Sequence, residues 1–178
     1  MALEQWQVDG ARSSIGFTVR HLVVSKVHGR FGKWTATLAY DEAAPAASTV
    51  VVLIETASIG TGDRDRDNNL KSAEFFDAQK FPALTFQSTK VETAAGKLRV
   101  TGDLTMHGVT RPVVLDVKRA TLGNDPSGNR RAGFSATTTI NRKEFGLAWS
   151  AALETGGLLV GEKIEISLEL QAIKPEAA

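Results

Sequence analysis

The run Leu98-Arg99-Val100-Thr101-Gly102-Asp103-Leu104-Thr105-Met106-His107 alternates without a break, with Leu98, Val100, Gly102, Leu104 and Met106 on one side and polar residues on the other. A period of two is the mark of a β-strand with one face in an apolar interior and the other in water. The same pattern recurs outward from this run. Ile164, Ile166, Leu168 and Leu170 lie opposite Glu165, Ser167, Glu169 and Gln171, and Ile15, Phe17 and Val19 alternate with Gly16, Thr18 and Arg20. Trp34, Ala36, Leu38 and Tyr40 repeat it, as do Val113, Leu115 and Val117, and more weakly Phe134, Ala136, Thr138 and Ile140. Segments rich in Gly and Pro separate the runs: DEAAPAAS at 41–48, TAAGK at 93–97, HGVTRP at 107–112 and GNDPSGN at 123–129. Strands are therefore predicted at 5–9, 13–20, 27–40, 48–56, 83–92, 97–106, 112–122, 130–141 and 162–173, the first as a short lead-in. Strands of this length joined as hairpins favour an all-β fold, an up-and-down antiparallel barrel of about eight strands. Closure also removes the long edges such strands would otherwise expose.

Composition sets outer limits. The chain has 178 residues, enough for one domain over 1–178 with a substantial core, its last residues 174–178 expected to fray. With 21 basic and 20 acidic residues and a net charge of +1, it carries no bulk field to recruit nucleic acid or an anionic membrane. The absence of cysteine excludes disulfides, thiolate metal sites and cysteine nucleophiles. The apolar run at 50–54 is too short to span a bilayer, so no integral membrane segment is expected. The start, MALEQWQVDG, lacks the basic and apolar regions of a secretory leader, which predicts a cytoplasmic location, or a periplasmic one if a leader has been trimmed. No G-x-S-x-G elbow, H-E-x-x-H, P-loop or strand-borne dinucleotide fingerprint is present, so neither catalysis nor a cofactor is expected.

Two stretches break the period: TGDRDRDNNLKSAEFFDAQKFP at 61–82 and NRKEFGLAWSAALETGGLLVG at 141–161. In the first, Asp63, Asp65, Asp67 and Glu74 occupy positions 1, 3, 5 and 12 of a calcium-loop pattern. The preceding 50–54 segment is β-branched where an EF-hand needs a helix, Arg64 and Arg66 offset the charge, and no second loop pairs with it. No metal site is therefore assigned, and the acids read as the start of a helix favoured by its dipole. The expected structure is a short helical excursion near 63–81, with Leu70, Phe75 and Phe76 packed on the barrel and its charges in water. A second excursion is expected near 142–150, with Asn141 as its cap.

Several blocks in register resemble the YceI-like family of bacterial polyisoprenoid-binding proteins. They are W-x-V-D (6–9), S-x-I-x-F-x-V-x-H (13–21), V-H-G-R-F (27–31), R-D-x-x-L-K-S-x-x-F-F-D-x-x-K-F-P (66–82), F-x-S (86–88), G-D-L-T-M-H-G-V-T-R-P-V (102–113), N-R-K-E-F-G-L (141–147) and V-G-E-K-I-E-I (160–166). The resemblance implies a lipocalin-like barrel that binds or carries a long hydrophobic ligand, an isoprenoid or quinone-like lipid, and it implies a homodimer. Residues expected to face such a chain are Phe17, Val19 and His21 on an early strand, then Leu38, Phe86, Leu104 and Phe134, with Trp149 closing one end. Arg20, Arg64, Arg66 and Lys71 are the cations expected to reach a polar head group. The inward faces mix large residues with Ala36, Gly102, Ala136 and Thr138, a mixture that fits either a channel or an interlocked, filled core. Two alternatives stay open at this level: an enzyme acting on a lipid or small reactive molecule in the same barrel, and a filled barrel serving as a stress-response interaction module. Trp6 and Trp34 are expected to pack with their N–H groups on acceptors.

Overall fold

The computed structural model describes residues 4–21, 25–73, 75–118, 120–147 and 160–174. Its strands are β1 (Glu4–Val8), β2 (Ser14–His21), β3 (Ser25–Phe31), β4 (Trp34–Tyr40), β5 (Thr49–Glu55) and β6 (Ile59–Gly60). After the helix α1 (Arg64–Lys71) come β7 (Ala83–Ala94), β8 (Lys97–Met106), β9 (Val109–Val117), β10 (Thr121–Asn124), β11 (Arg130–Asn141) and β12 (Val160–Ile173). All pairings are antiparallel, and they close into a barrel of 8 staves. Three staves are broken in two. β1 and β2 both run along β12, and β3 and β4 run along β2 and β1 respectively. β5 and β6 form the next stave, against β4 and β3. From there β7, β8, β9 and β11 follow in sequence, and a long β11–β12 ladder from Arg131↔Ile173 to Asn141↔Lys163 shuts the cylinder.

Two expected strand boundaries need correction. The 27–40 strand is a single stave but is interrupted at Gly32 and Lys33. There the Gly32 N–H donates to the Ser58 carbonyl and the Glu55 N–H donates to the Lys33 carbonyl, both at 3.0 Å. The bend is matched by a short 3-10 turn, Thr56–Ser58, in the neighbouring stave. The 112–122 strand is two strands, Val109–Val117 and Thr121–Asn124, and it begins earlier than expected because only His107 and Gly108 make the turn, both with positive φ (54° and 74°). That conformation suits a two-residue hairpin turn. Pro112 therefore lies inside β9, opposite Asp103 of β8. It is tolerated because β9 ladders with β11 only at Val117 and Asp116, so at Pro112 the strand behaves as an edge.

The interior holds two apolar clusters. The larger runs through the upper and middle barrel, where α1, the 75–76 turn and the 3-10 turn Arg142–Phe145 cover the end. The smaller, at the lower end, contains Trp6, Leu38, Tyr40, Ala132 and Ala172. Trp6 is buried, but its indole N–H finds no acceptor among the described residues, contrary to the expectation for that group. Among the described residues, no helix is long and apolar enough to cross a membrane.

Candidate functional site: an apolar cavity along the barrel axis

The inward faces of the staves enclose a cavity of ≈ 260 Å³. Strand alternation delivers Phe17, Val19, Leu38, Phe86, Leu104 and Phe134 to its wall, six of the residues singled out from the sequence. A bulge between Ser88 and Lys90 in β7 shifts the register so that Val91 also turns inward. Trp149 and the side chains of Arg20 and His21 lie outside the described residues. Arg64 is exposed on α1, and neither it nor Lys71 lines the cavity; Arg66 does.

The upper end is built by α1 and the chain after it. Asp63 caps the helix, its carboxylate accepting the Arg66 N–H at 3.1 Å, while Asp65 and Asp67 sit in the first turn and Lys71 in the last. Asp67 is engaged elsewhere: its Oδ1 accepts from the Thr61 backbone N–H at 2.9 Å and from the Thr61 hydroxyl at 2.5 Å. Arg66 completes this knot, donating from Nε to Thr61 Oγ1 at 2.8 Å and from Nη2 to the Thr61 carbonyl at 3.0 Å. Of the acids in the calcium-loop pattern, Asp63 thus serves as a cap and Asp67 as a loop anchor; Glu74 lies outside the described residues. Beyond Lys71 the backbone folds back, the Phe76 N–H donating to the Leu70 carbonyl at 2.9 Å, so that Phe75 and Phe76 are buried and line the cavity. The helix itself is shorter than the predicted excursion and leaves these two rings in a turn.

Arg142 was not singled out from the sequence. It is fully buried, lines the cavity, donates from Nη1 to the Leu147 carbonyl, and lies 5.9 Å from the centre of the Phe75 ring. Burial pushes its guanidinium below the ordinary arginine value, and the Glu162 carboxylate opposes that shift. Its position follows from the local turn. Asn141 caps it, accepting the Lys143 N–H at 3.0 Å, and Gly146 ends it with φ 76°. The cap at Asn141 was legible as a motif, but the inward direction of its neighbour was not.

The cavity is therefore apolar along its length, with Thr61, Arg66, Asn69 and Arg142 gathered at the upper end. The described histidines do not join it. His28 shares a hydrogen bond of 2.9 Å with Thr18 in an exposed position, and His107 packs edge-on against Phe81. Among the described residues, no group of three or more His, Asp or Glu side chains is placed to hold a metal.

A YceI-like domain matches residues 6–172. The chain belongs to the YceI-like family. This YceI-like chain is 45% identical over 139 residues to a UPF0312 protein of Vibrio cholerae, covering 78% of this chain and 74% of that one. Its fold superposes on the crystal structure of Burkholderia cenocepacia BcnA with a TM-score of 0.81 and 25% identity, covering 93% and 99% of the two chains. A polyisoprenoid binding domain from Saccharophagus degradans, implicated in plant cell wall breakdown, matches with a TM-score of 0.66 over 98% and 100% of the chains. At 17% identity, that last likeness is one of fold alone.

Proposed function

We propose that this YceI-like barrel binds and carries one slim, long-chain hydrophobic molecule of isoprenoid type, without chemistry of its own. The observation that carries the reading is the cavity: ≈ 260 Å³ inside a closed barrel, walled by aliphatic and aromatic side chains from every stave. A filled barrel would have no such volume. Apolar chain moved from water into this space gains ~0.8 kcal/mol per methylene, before the costs of ordering it. Arg66 and Arg142 at the upper end place cationic donors where the polar end of the ligand would lie. The enzyme alternative would need histidines and a carboxylate converging inside, whereas the two described histidine side chains, His28 and His107, are occupied away from the cavity.

Organic extraction of the purified protein followed by mass spectrometry is the direct test. A prenyl or quinone-type lipid in near-stoichiometric amount is the expected result. Recovery of no lipid, together with no binding of added prenols, would sink the carrier reading.

A further inference from the structure

We propose that Tyr40 and Phe134, backed by Trp6, form an aromatic floor that sets the longest apolar chain the cavity accepts. This rests on the reading that such a chain occupies the cavity. Tyr40 ends β4 and Phe134 lies in β11; in the barrel wall these two strands are separated by β1 and β12. Their rings nevertheless meet edge to face, centroids 5.2 Å apart at 84°. Contact between staves this far apart runs through the interior as a chord. Both rings face the cavity on one side. On the other side, Trp6 stands edge-on to Tyr40 at 5.6 Å and packs with the buried small residues Ala132 and Ala172 in the separate lower cluster. From the cavity downward the order is open space, then the Tyr40–Phe134 pair, then the cluster of Trp6, Ala132 and Ala172, with a separate cleft between Glu4 and Lys174 beyond Trp6 and Tyr40.

The lower end is also lined by Pro45 and Ser48 of the 41–48 loop and by Val91 and Leu98 beside the β7–β8 turn. That loop is pinned: the Asp41 carboxylate accepts the Ala43 and Ala44 N–H groups at 2.9 and 3.1 Å, and Ser48 Oγ accepts the Asp41 N–H at 3.2 Å. At the upper end, by contrast, the wall includes the polar groups of α1 and the buried Arg142. A chain held with its polar end uppermost therefore runs down onto the Tyr40–Phe134 pair and the pinned loop beside it. The wall from Phe134 up to Ile140 measures ~20 Å along β11, or ~15 Å along the axis at a tilt of ~40°.

The consequence is a break in the dependence of affinity on length. Each unit added above the floor enters dry space and tightens binding. A unit added beyond it has to fold back into filled volume or leave the other end in water, and tightening stops.

The test uses the full chain and a homologous series of all-trans prenols from geraniol upward, each measured by displacement of a bound apolar fluorophore. Wild type is expected to tighten with length and then reach a break. Phe134→Ala, with Phe134→Leu and Tyr40→Leu as milder variants should it fail to fold, is expected to move the break by at least one isoprene unit. The first prenol beyond the wild-type break then gains about tenfold in affinity. Val51→Ala, on the exposed outer face of β5, leaves the break in place. Near-ultraviolet circular dichroism establishes that each variant is folded. A wild type without a break, or a break that stays put in the folded floor variants, overturns the floor. Failure of every prenol to bind wild type is a different result: it overturns the carrier reading on which the floor depends.

Discussion

A Cβ added at Gly102 would lie 2.4 Å from the Phe86 ring and 2.6 Å from the Gln87 carbonyl oxygen, whereas the three atoms nearest to one added at Gly29 all belong to the Phe17 ring, the first at 2.3 Å. Both glycines leave a flat patch of strand on which a phenylalanine of the cavity wall rests, so ring and backbone approach more closely than any side chain permits. The two sites differ in what can give way. A ring can rotate toward open space, and Phe17 faces the cavity; the Gln87 carbonyl belongs to β7 and cannot move without disturbing the ladder. Gly102→Ala is therefore expected to lower stability by ~1–3 kcal/mol, read as a drop in the urea midpoint, with Gly29→Ala milder and felt mainly as a reshaped cavity. An equal loss at both positions would mean that the carbonyl contact is not what matters. The alternation around Val100 and Leu104 already placed Gly102 on the inner face. That Phe86 lies over it depends on the β7–β8 register, which no single strand encodes.

At the scale of elements, α1 stands apart from the staves because none of its residues is buried. It is held by its cap, by the Thr61–Asp67–Arg66 knot and by Leu70, which packs half-buried against the barrel core as expected. Removing the cap with Asp63→Ala is expected to cost ~1 kcal/mol. The loss should be local, seen as faster amide exchange at Arg66 and Asp67 with the β-ladder amides unchanged; uniform acceleration across the barrel would mean that α1 is integral to the global unfolding unit. The start of this helix was legible in its acids, but its stop was not. Nothing in the sequence after Lys71 ends a helix as a proline would. Burial of Phe75 and Phe76 does, with Asp77 turning the chain at φ 49°. The broken staves left a trace that was missed. Apolar positions are odd at Val27 and Phe31 but even at Trp34 and Leu38, and the same switch separates Trp6 from Ile15 and Ile54 from Ile59. A change of parity in an otherwise continuous alternation moves every later side chain to the other face unless the chain bends, so it marks a break.

Over the whole molecule, the seam along β12 is broad where β2 follows it, from Ser14↔Glu169 to His21↔Val160, and thin only at its lower end. β1 meets β12 only at Gln7↔Ile173 and Val8↔Ala172. Arg131 of β11 reaches across this region, its guanidinium 3.2 Å from Asp9 Oδ2 and 2.6 Å from Asp125 Oδ2, while Asp9 also holds Arg12 at 3.1 Å. The pairs therefore tie the turn after β1 and the β10–β11 hairpin to the closing strands. Hydrogen bonds from Arg12 and Arg131 hold the Asp9 carboxyl below its ordinary value, and those from Arg131 and the Asn129 N–H do the same for Asp125. Glu162 is lowered in the same sense by Lys143. A carboxyl depressed in the folded state adds stability that is complete above its unfolded pKa and is lost as pH falls through the folded value. The barrel is thus expected to hold a constant melting temperature down to about pH 5 and to lose it progressively toward about pH 2. The variant Asp9→Asn/Asp125→Asn should start lower at neutral pH and fall less steeply, which a series of thermal melts across that range will measure. Parallel curves for the two proteins would place the acid sensitivity on other carboxylates and leave the lower end of the seam to the two β1–β12 pairs.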